Sequence, residues 1–341
     1  MLGEKLFIKM WESLADKGIG SLASPWQIKR EGRAYAEVRR DELLLLAQAE
    51  SDANQIKEGK KKLLPDGRLI NIASHSEASA DNIDYLGRIE PVFSLENINH
   101  KIENQKKAEE LQREININKT IILAEEELLR SQQEAPEEKV DPDWIFRWRE
   151  HAQNTQNEEL RKIWARTLAG EIKSPGSYSF RTLEFIKNLS QKEAVSISKL
   201  GQFAIANTIF KCDRLEAVGI DFGFLLEMDD LGILIGVQGG QASGLELTMK
   251  SAVPEKFYNN IVNRNLILLV EGEDPNKTLK LGCYQISKIG TELLSLGDFN
   301  ADAQYMKQIG LKIKEQGFEV KLASWLQTHA THGQYFNAES L

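Results

Sequence analysis

Residues 94–131, SLENINHKIENQKKAEELQREININKTIILAEEELLRS, run without a proline or a glycine. Leu95, Ile98, Ile102, Ala108, Leu111, Ile115, Ile122 and Leu129 recur along the run at helical intervals. Apolar side chains returning every three or four residues line one face of a helix, so one long charged helix is expected here. The heptad-like spacing is broken, which fits a coiled-coil arm or a helical hairpin better than a strict zipper.

The segments around this helix read as further helices. GEKLFIKMWESLADK, residues 3–17, places Leu6, Phe7, Met10, Trp11 and Leu14 on one face, opposite Lys5, Lys9 and Lys17. Glycines and Pro25 stop it, and an Ala-, Glu-, Arg- and Leu-rich helix is expected from about Gln27 to Lys62. Residues 64–93 read as a linker. Beyond Pro136, Asp141-Pro142 opens a helix led by Trp144, Ile145 and Trp148, with Asp as N-cap and Pro in the first turn. A second helix carries Leu160, Ile163, Trp164, Leu168 and Ile172, and a Pro-Gly corner follows it. Ser179 caps the next helix, and Ser190 with Glu193 forms the capping box of another.

From about Leu215 the texture changes to β-rich runs separated by Gly, Asp and Asn turns, with helices expected over 286–296 and 301–316. The expected fold is mainly α with a C-terminal α+β part. Its pieces are N-terminal amphipathic helices (1–63), the linker (64–93), the charged helix or coiled-coil arm (94–135), a helical domain (141–212), a winged-helix-like module (213–326) and a polar, frayed tail (327–341).

Composition excludes several chemistries. The chain has 341 residues and a net charge of −8, which favours solubility and gives no reason to expect a polyanion as main partner. Cys212 and Cys283 lie far apart without CxxC spacing, which excludes a disulfide framework and a cysteine-based zinc site and suits a reducing cytoplasm. The longest apolar runs, Leu43–Leu46 and Leu266–Val270, are far shorter than the roughly 20 residues that span a bilayer, and no signal peptide is read. A cytoplasmic protein is expected, with neither cofactor nor metal. The histidines form no ligand set; His329 and His332 have helical spacing but no carboxylate partner. GVQGGQASG, residues 236–244, lacks the Gly-Lys-Ser/Thr ending of a phosphate loop and reads as a hairpin or bulged loop.

Two stretches are candidates for function. LAGEIKSPGSYSFRTLEFIKNLS, residues 168–190, gathers Glu171, Lys173, Ser177, Ser179 and Arg181 around Pro175-Gly176. A serine nucleophile there needs a base, and His151 is one helix away. Turn and cap chemistry accounts for each residue, with Arg181 holding Glu171 or free carbonyls, so the structural corner is the favoured reading. The second stretch is the lysine-flanked face of Phe7, Met10 and Trp11, followed by Trp26 and a basic run. It could meet a protein partner or an anionic membrane surface, although packing on the protein's own helices is favoured.

Over residues 141–194 the sequence resembles an uncharacterised bacterial family of unknown function. The resemblance is carried by Asp143, Trp144, Trp164, Ala165, the run Leu168–Ile172, Pro175, Gly176, Ser179, Arg181, Thr182, Leu183, Leu189, Ser190, Glu193 and Ala194. That family's C-terminal LTxxGxEL is matched by ISKIGTELL, with Ser287 in place of the usual threonine. The resemblance implies no established activity. By association it implies a bacterial or prophage setting and a role in phage resistance.

The leading expectation is a non-enzymatic, oligomeric interaction or regulatory protein with an unidentified protein partner. A DNA-binding regulator using the winged-helix-like module is the alternative. Charge disfavours it, because residues 180–300 hold 12 Lys and Arg against 15 Asp and Glu. A hydrolase at the 168–182 corner is the third reading.

Overall fold

The computed structural model describes residues 2–15, 35–64, 68–72, 95–131, 133–237, 245–328 and 332–341. The expectations for Trp26, for residues 73–93, for most of the 236–244 loop and for His329 lie outside the described residues. The chain divides into two compact units, Met1–Ser177 and Tyr178–Leu341. The division falls inside the segment read from sequence as one helical domain over 141–212.

In the first unit, α1 (Leu2–Ala15) buries Leu6, Met10, Trp11 and Leu14. Helix α2 (Tyr35–Lys57) stops five residues short of the expected Lys62. Gly59 takes φ +74°, and the amides of Gly59 and Lys60 bond back to the carbonyls of Ile56 and Gln55. That pairing is the Schellman ending, which needs a left-handed residue and here uses glycine. The chain then forms a hairpin of β1 (Lys61–Leu63) and β2 (Leu69–Asn71), so the start of the segment read as a linker is paired structure.

The long helix is observed as α3 (Leu95–Leu129), 35 residues and about 52 Å at 1.5 Å per residue. It is not a free arm. Its C-terminal half buries Ile115, Ile117, Ile121, Ala124 and Leu128, and Ile115 and Ile122 cluster with Leu46 and Ala53 of α2. Helix α4 (Pro142–Ala152) starts where the Asp141 carboxylate accepts from the Asp143 amide. Helix α5 (Glu158–Lys173) is capped by Asn157. The indole N–H of Trp148 donates to the Trp164 carbonyl at 2.9 Å, which satisfies its one polar atom within the α4–α5 core.

The second unit opens with α6 (Phe180–Asn188) and α7 (Gln191–Leu200), the latter started by the expected Ser190–Glu193 capping box. There follow β3 (Thr208–Phe210), α8 (Asp213–Ala217), α9 (Phe222–Asp230), β4 (Leu234–Ile235) and β5 (Leu245–Met249). The remaining elements are β6 (Phe257–Asn263), β7 (Leu266–Gly272), β8 (Leu279–Ile286), α10 (Lys288–Leu294), α11 (Ala303–Lys314), β9 (Glu319–Gln327) and β10 (Gly333–Ser340).

Two antiparallel sheets result. In one, β8 is central, with β3 on one side and β4 and then β5 along the other. The other has the order β10-β9-β7-β6. Ile267, Leu269 and Ala323 cluster on one face of that second sheet. The tail expected to fray instead pairs as β10 along β9, from Gly333 opposite Gln327 to Ser340 opposite Lys321. Its side chains are mostly exposed, so sequence polarity was a fair guide to burial and a poor one to pairing.

Candidate functional site

The corner residues resolve into two separate arrangements, one in each unit. In the first, α5 carries Glu171 into the interior, where the residue is 1% exposed. Its Oε1 accepts from the backbone N–H of Gly176 at 2.6 Å, and Gly176 sits at φ +83°. The carboxylate therefore holds the turn that follows its own helix. The Ser177 hydroxyl donates to the Ser174 carbonyl at 2.5 Å. Lys173 is half-buried, and its carbonyl accepts from the Gln133 side chain at 2.9 Å.

In the second unit, Ser179 is the N-cap of α6, as the sequence predicts. Its hydroxyl accepts from the Thr182 amide and donates to Glu292 Oε2 at 3.0 Å. The same Glu292 oxygen accepts from the Ser179 backbone N–H at 2.7 Å and from the Thr182 hydroxyl at 2.6 Å. Glu292 is 7% exposed, and Lys288 stands one turn earlier on α10 with its Nζ 3.9 Å from Oε1. A buried carboxylate facing the first turn of a helix is stabilised by the unpaired amides and the positive end of the helix dipole. Arg181 is exposed on that first turn.

Glu292 was not singled out from sequence, although it is the glutamate of ISKIGTELL. Ser287 of that motif caps α10 by accepting from the Gly290 amide at 2.9 Å, and its own hydroxyl donates to the Gly232 carbonyl. Gly290 lies against the Ile233 carbonyl so closely that a Cβ would stand 2.4 Å from that oxygen. Within the second unit, the SxRTL and ISKIGTELL stretches are thus one hydrogen-bonded assembly.

This chemistry is that of a clasp. The Ser177 hydroxyl donates to the Ser174 carbonyl, those of Ser179 and Thr182 donate to Glu292, and that of Tyr178 pairs with the Ser295 hydroxyl, so no imidazole is among these partners. His151, the histidine nearest in sequence, is buried with its ring 5.6 Å from that of Trp164.

The N-terminal face is placed differently from a docking surface. Met10 and Trp11 are buried, Phe7 is half-buried, and the Trp11 indole donates to the buried Glu125 carboxylate at 2.9 Å. These side chains face the unit's own core because that core supplies both apolar contacts and an acceptor for the indole. Trp26 lies outside the described residues.

The second unit also presents a helix end to solvent. Asp221 caps α9 by accepting from the Phe224 amide at 2.9 Å, and Leu225 and Met228 fix the helix to the core. Phe222 is 62% exposed, and the helix ends in Glu227, Asp229 and Asp230 with no basic residue. Among the described residues no group of three or more His, Cys, Asp or Glu could hold a metal, and no helix is long and apolar enough to cross a membrane.

Residues 100–216 match the model of a family described as protein of unknown function (DUF2806). The match covers the first of the two stretches that form the clasp and ends before ISKIGTELL. No curated protein and no solved structure matches the chain.

Proposed function

We propose that this is a non-enzymatic interaction or regulatory protein whose second unit uses a winged-helix-like module to grip a protein. The observation that carries the proposal is the chemistry of α9. The order α7–β3–α8–α9–β4/β5–β8, with β8 between β3 and β4/β5, parallels a winged helix in which the β6–β7 hairpin is inserted before the last strand. In that layout α9 occupies the place of the helix that reads the DNA major groove. A DNA reader needs cations there to displace counterions, whereas α9 starts with the exposed Phe222 behind its Asp221 cap and ends in Glu227, Asp229 and Asp230. An aromatic anchor with an acidic rim suits a basic protein surface with an apolar pocket.

Fluorescence anisotropy with labelled duplex DNA at low salt tests the choice. The expected result is no binding; an affinity that falls steeply with salt would establish the DNA-reading alternative.

Self-association is part of the same proposal. Leu43, Leu44 and Leu45 of α2 are 51%, 58% and 52% exposed, an apolar stretch of the kind that marks interaction surfaces. Light scattering at micromolar concentration is expected to show an oligomer, and a monomer there would remove this part. Buried, unbridged Cys212 and Cys283 support a cytoplasmic setting. The phage-resistance role implied by the resemblance is tested by phage plating on cells with and without the gene, where unchanged plating would discard it.

A further inference from the structure

Among the described residues, strand β5 (Leu245–Met249) has β8 as its only strand partner. The pairing runs from Leu245 to Met249 without a register shift. Sheet edges are usually blunted by proline, by lysine or by a bulge. LELTM has no proline and no lysine, and its one charged residue, Glu246, lies 3.4 Å from Lys280 Nζ on β8.

The direction of the β5 backbone follows from β8. On its β3 side, the Gly282 carbonyl accepts from the Lys211 amide and the Ile286 amide donates to the Asn207 carbonyl. Successive residues of a strand point these groups to opposite sides, so Leu279, Leu281 and Cys283 point to β5. Their partners Met249, Leu247 and Leu245 point back to β8. The N–H and C=O groups of Glu246 and Thr248 are left facing outward. The side chains of Leu245 and Leu247 share a face with those of Cys283 and Leu281, which are buried. Ile235 of β4 lies on the same face, opposite Gln285. Yet Ile235, Leu245 and Leu247 are 49%, 49% and 37% exposed, so the core row continues past its cover to the sheet edge.

We propose that β5 pairs antiparallel with β5 of a second copy of this chain, about a two-fold axis at Leu247. In that register Glu246 and Thr248 of each copy exchange backbone hydrogen bonds with Thr248 and Glu246 of the other, which uses all the outward groups. Leu247 meets its own copy and Leu245 meets Met249 on the apolar face. Centring the pair on Glu246 would oppose two carboxylates. Centring it on Thr248 needs the Lys250 carbonyl, which already accepts from the Asn259 side chain at 2.8 Å. The contact is isologous and closes as a dimer rather than a filament. It rests on the self-association proposed above and adds a surface distinct from the α2 leucines.

Oxidative cross-linking of the full-length protein with copper–phenanthroline tests the register. Residues facing each other in the non-hydrogen-bonded pair at the axis have Cα atoms about 4.5 Å apart, within the reach of a disulfide. Leu247→Cys is expected to give a dimer bridged through the introduced thiols, as read by mass spectrometry. Met249→Cys is expected to give none, because its two copies stand four residues out of step, about 14 Å along the strand. Thr248→Pro removes an amide that β8 does not use, so the edge strand tolerates it. Added to Leu247→Cys, it should cut the cross-linked yield about tenfold, with circular dichroism confirming the fold. An oligomer by light scattering that gives no Leu247→Cys bridge would overturn the β5 contact and leave self-association through α2 standing. Equal bridging by Leu247→Cys and Met249→Cys, or a yield unchanged by Thr248→Pro in a folded protein, would do the same. A monomeric parent protein would remove both contacts.

Discussion

The Thr182 hydroxyl donates to the Glu292 carboxylate at 2.6 Å, joining residues 110 positions apart in sequence. The bond is buried at both ends. It fixes the first turn of α6 to α10.

Replacing Glu292 by Gln preserves shape and leaves an amide oxygen to face the three donors, but removes the negative charge that strengthens all three bonds. The loss is expected to be about 2 kcal/mol, because hydrogen bonds to a buried charged group are worth more than neutral ones. Urea unfolding followed by circular dichroism measures it. Thr182→Val should cost less, and the double variant should fall short of the sum, since both changes break one network.

Gly290→Ala puts a methyl group against the Ile233 carbonyl and the Ile286 side chain. Overpacking of this kind costs about 1–3 kcal/mol. A Tm equal to that of the parent protein would show that α10 can shift away from β4 without penalty.

Acid should weaken the second unit partly through Asp302. This carboxylate caps α11 through the Tyr305 amide and takes two nitrogens of Arg214. Burial alone would raise its pKa, but the Arg214 and backbone hydrogen bonds outweigh burial, and the net shift is downward. With the folded pKa below the unfolded one, the unfolded state binds more protons in acid. The stabilisation is therefore present above the ordinary carboxylate pKa and is lost as pH falls through the folded value. Asp302→Asn should lower stability at neutral pH and flatten its decline between neutral and acid conditions, as followed by denaturant melts across that range.

Cys212 and Cys283 are buried, and desolvation raises both thiol pKa values. The thiolate is the reactive form, so alkylation by iodoacetamide at neutral pH should be slow in the native protein. Mass spectrometry is expected to find both cysteines modified once denaturant is added. Rapid double labelling of the native chain would contradict the burial.

Local chemistry made much of the fold legible in the sequence. Asp141-Pro142, Ser179 and the Ser190–Glu193 box start helices through residues within one turn of each other, and the buried face of α1 follows from spacing alone. The hairpin β1–β2 and the strand β10 were not legible, because both are short or polar and depend on a partner strand. Glu292 was hidden by sequence distance.

The β6–β7 hairpin sits in sequence between β5 and β8 yet belongs to the other sheet. Strand β8 must therefore reach β3 across a long excursion, pairing Phe210 with Cys283. Closing so large a loop is entropically slow and raises contact order. The route is shortened if β6 and β7 zip up first and draw the ends of the excursion together.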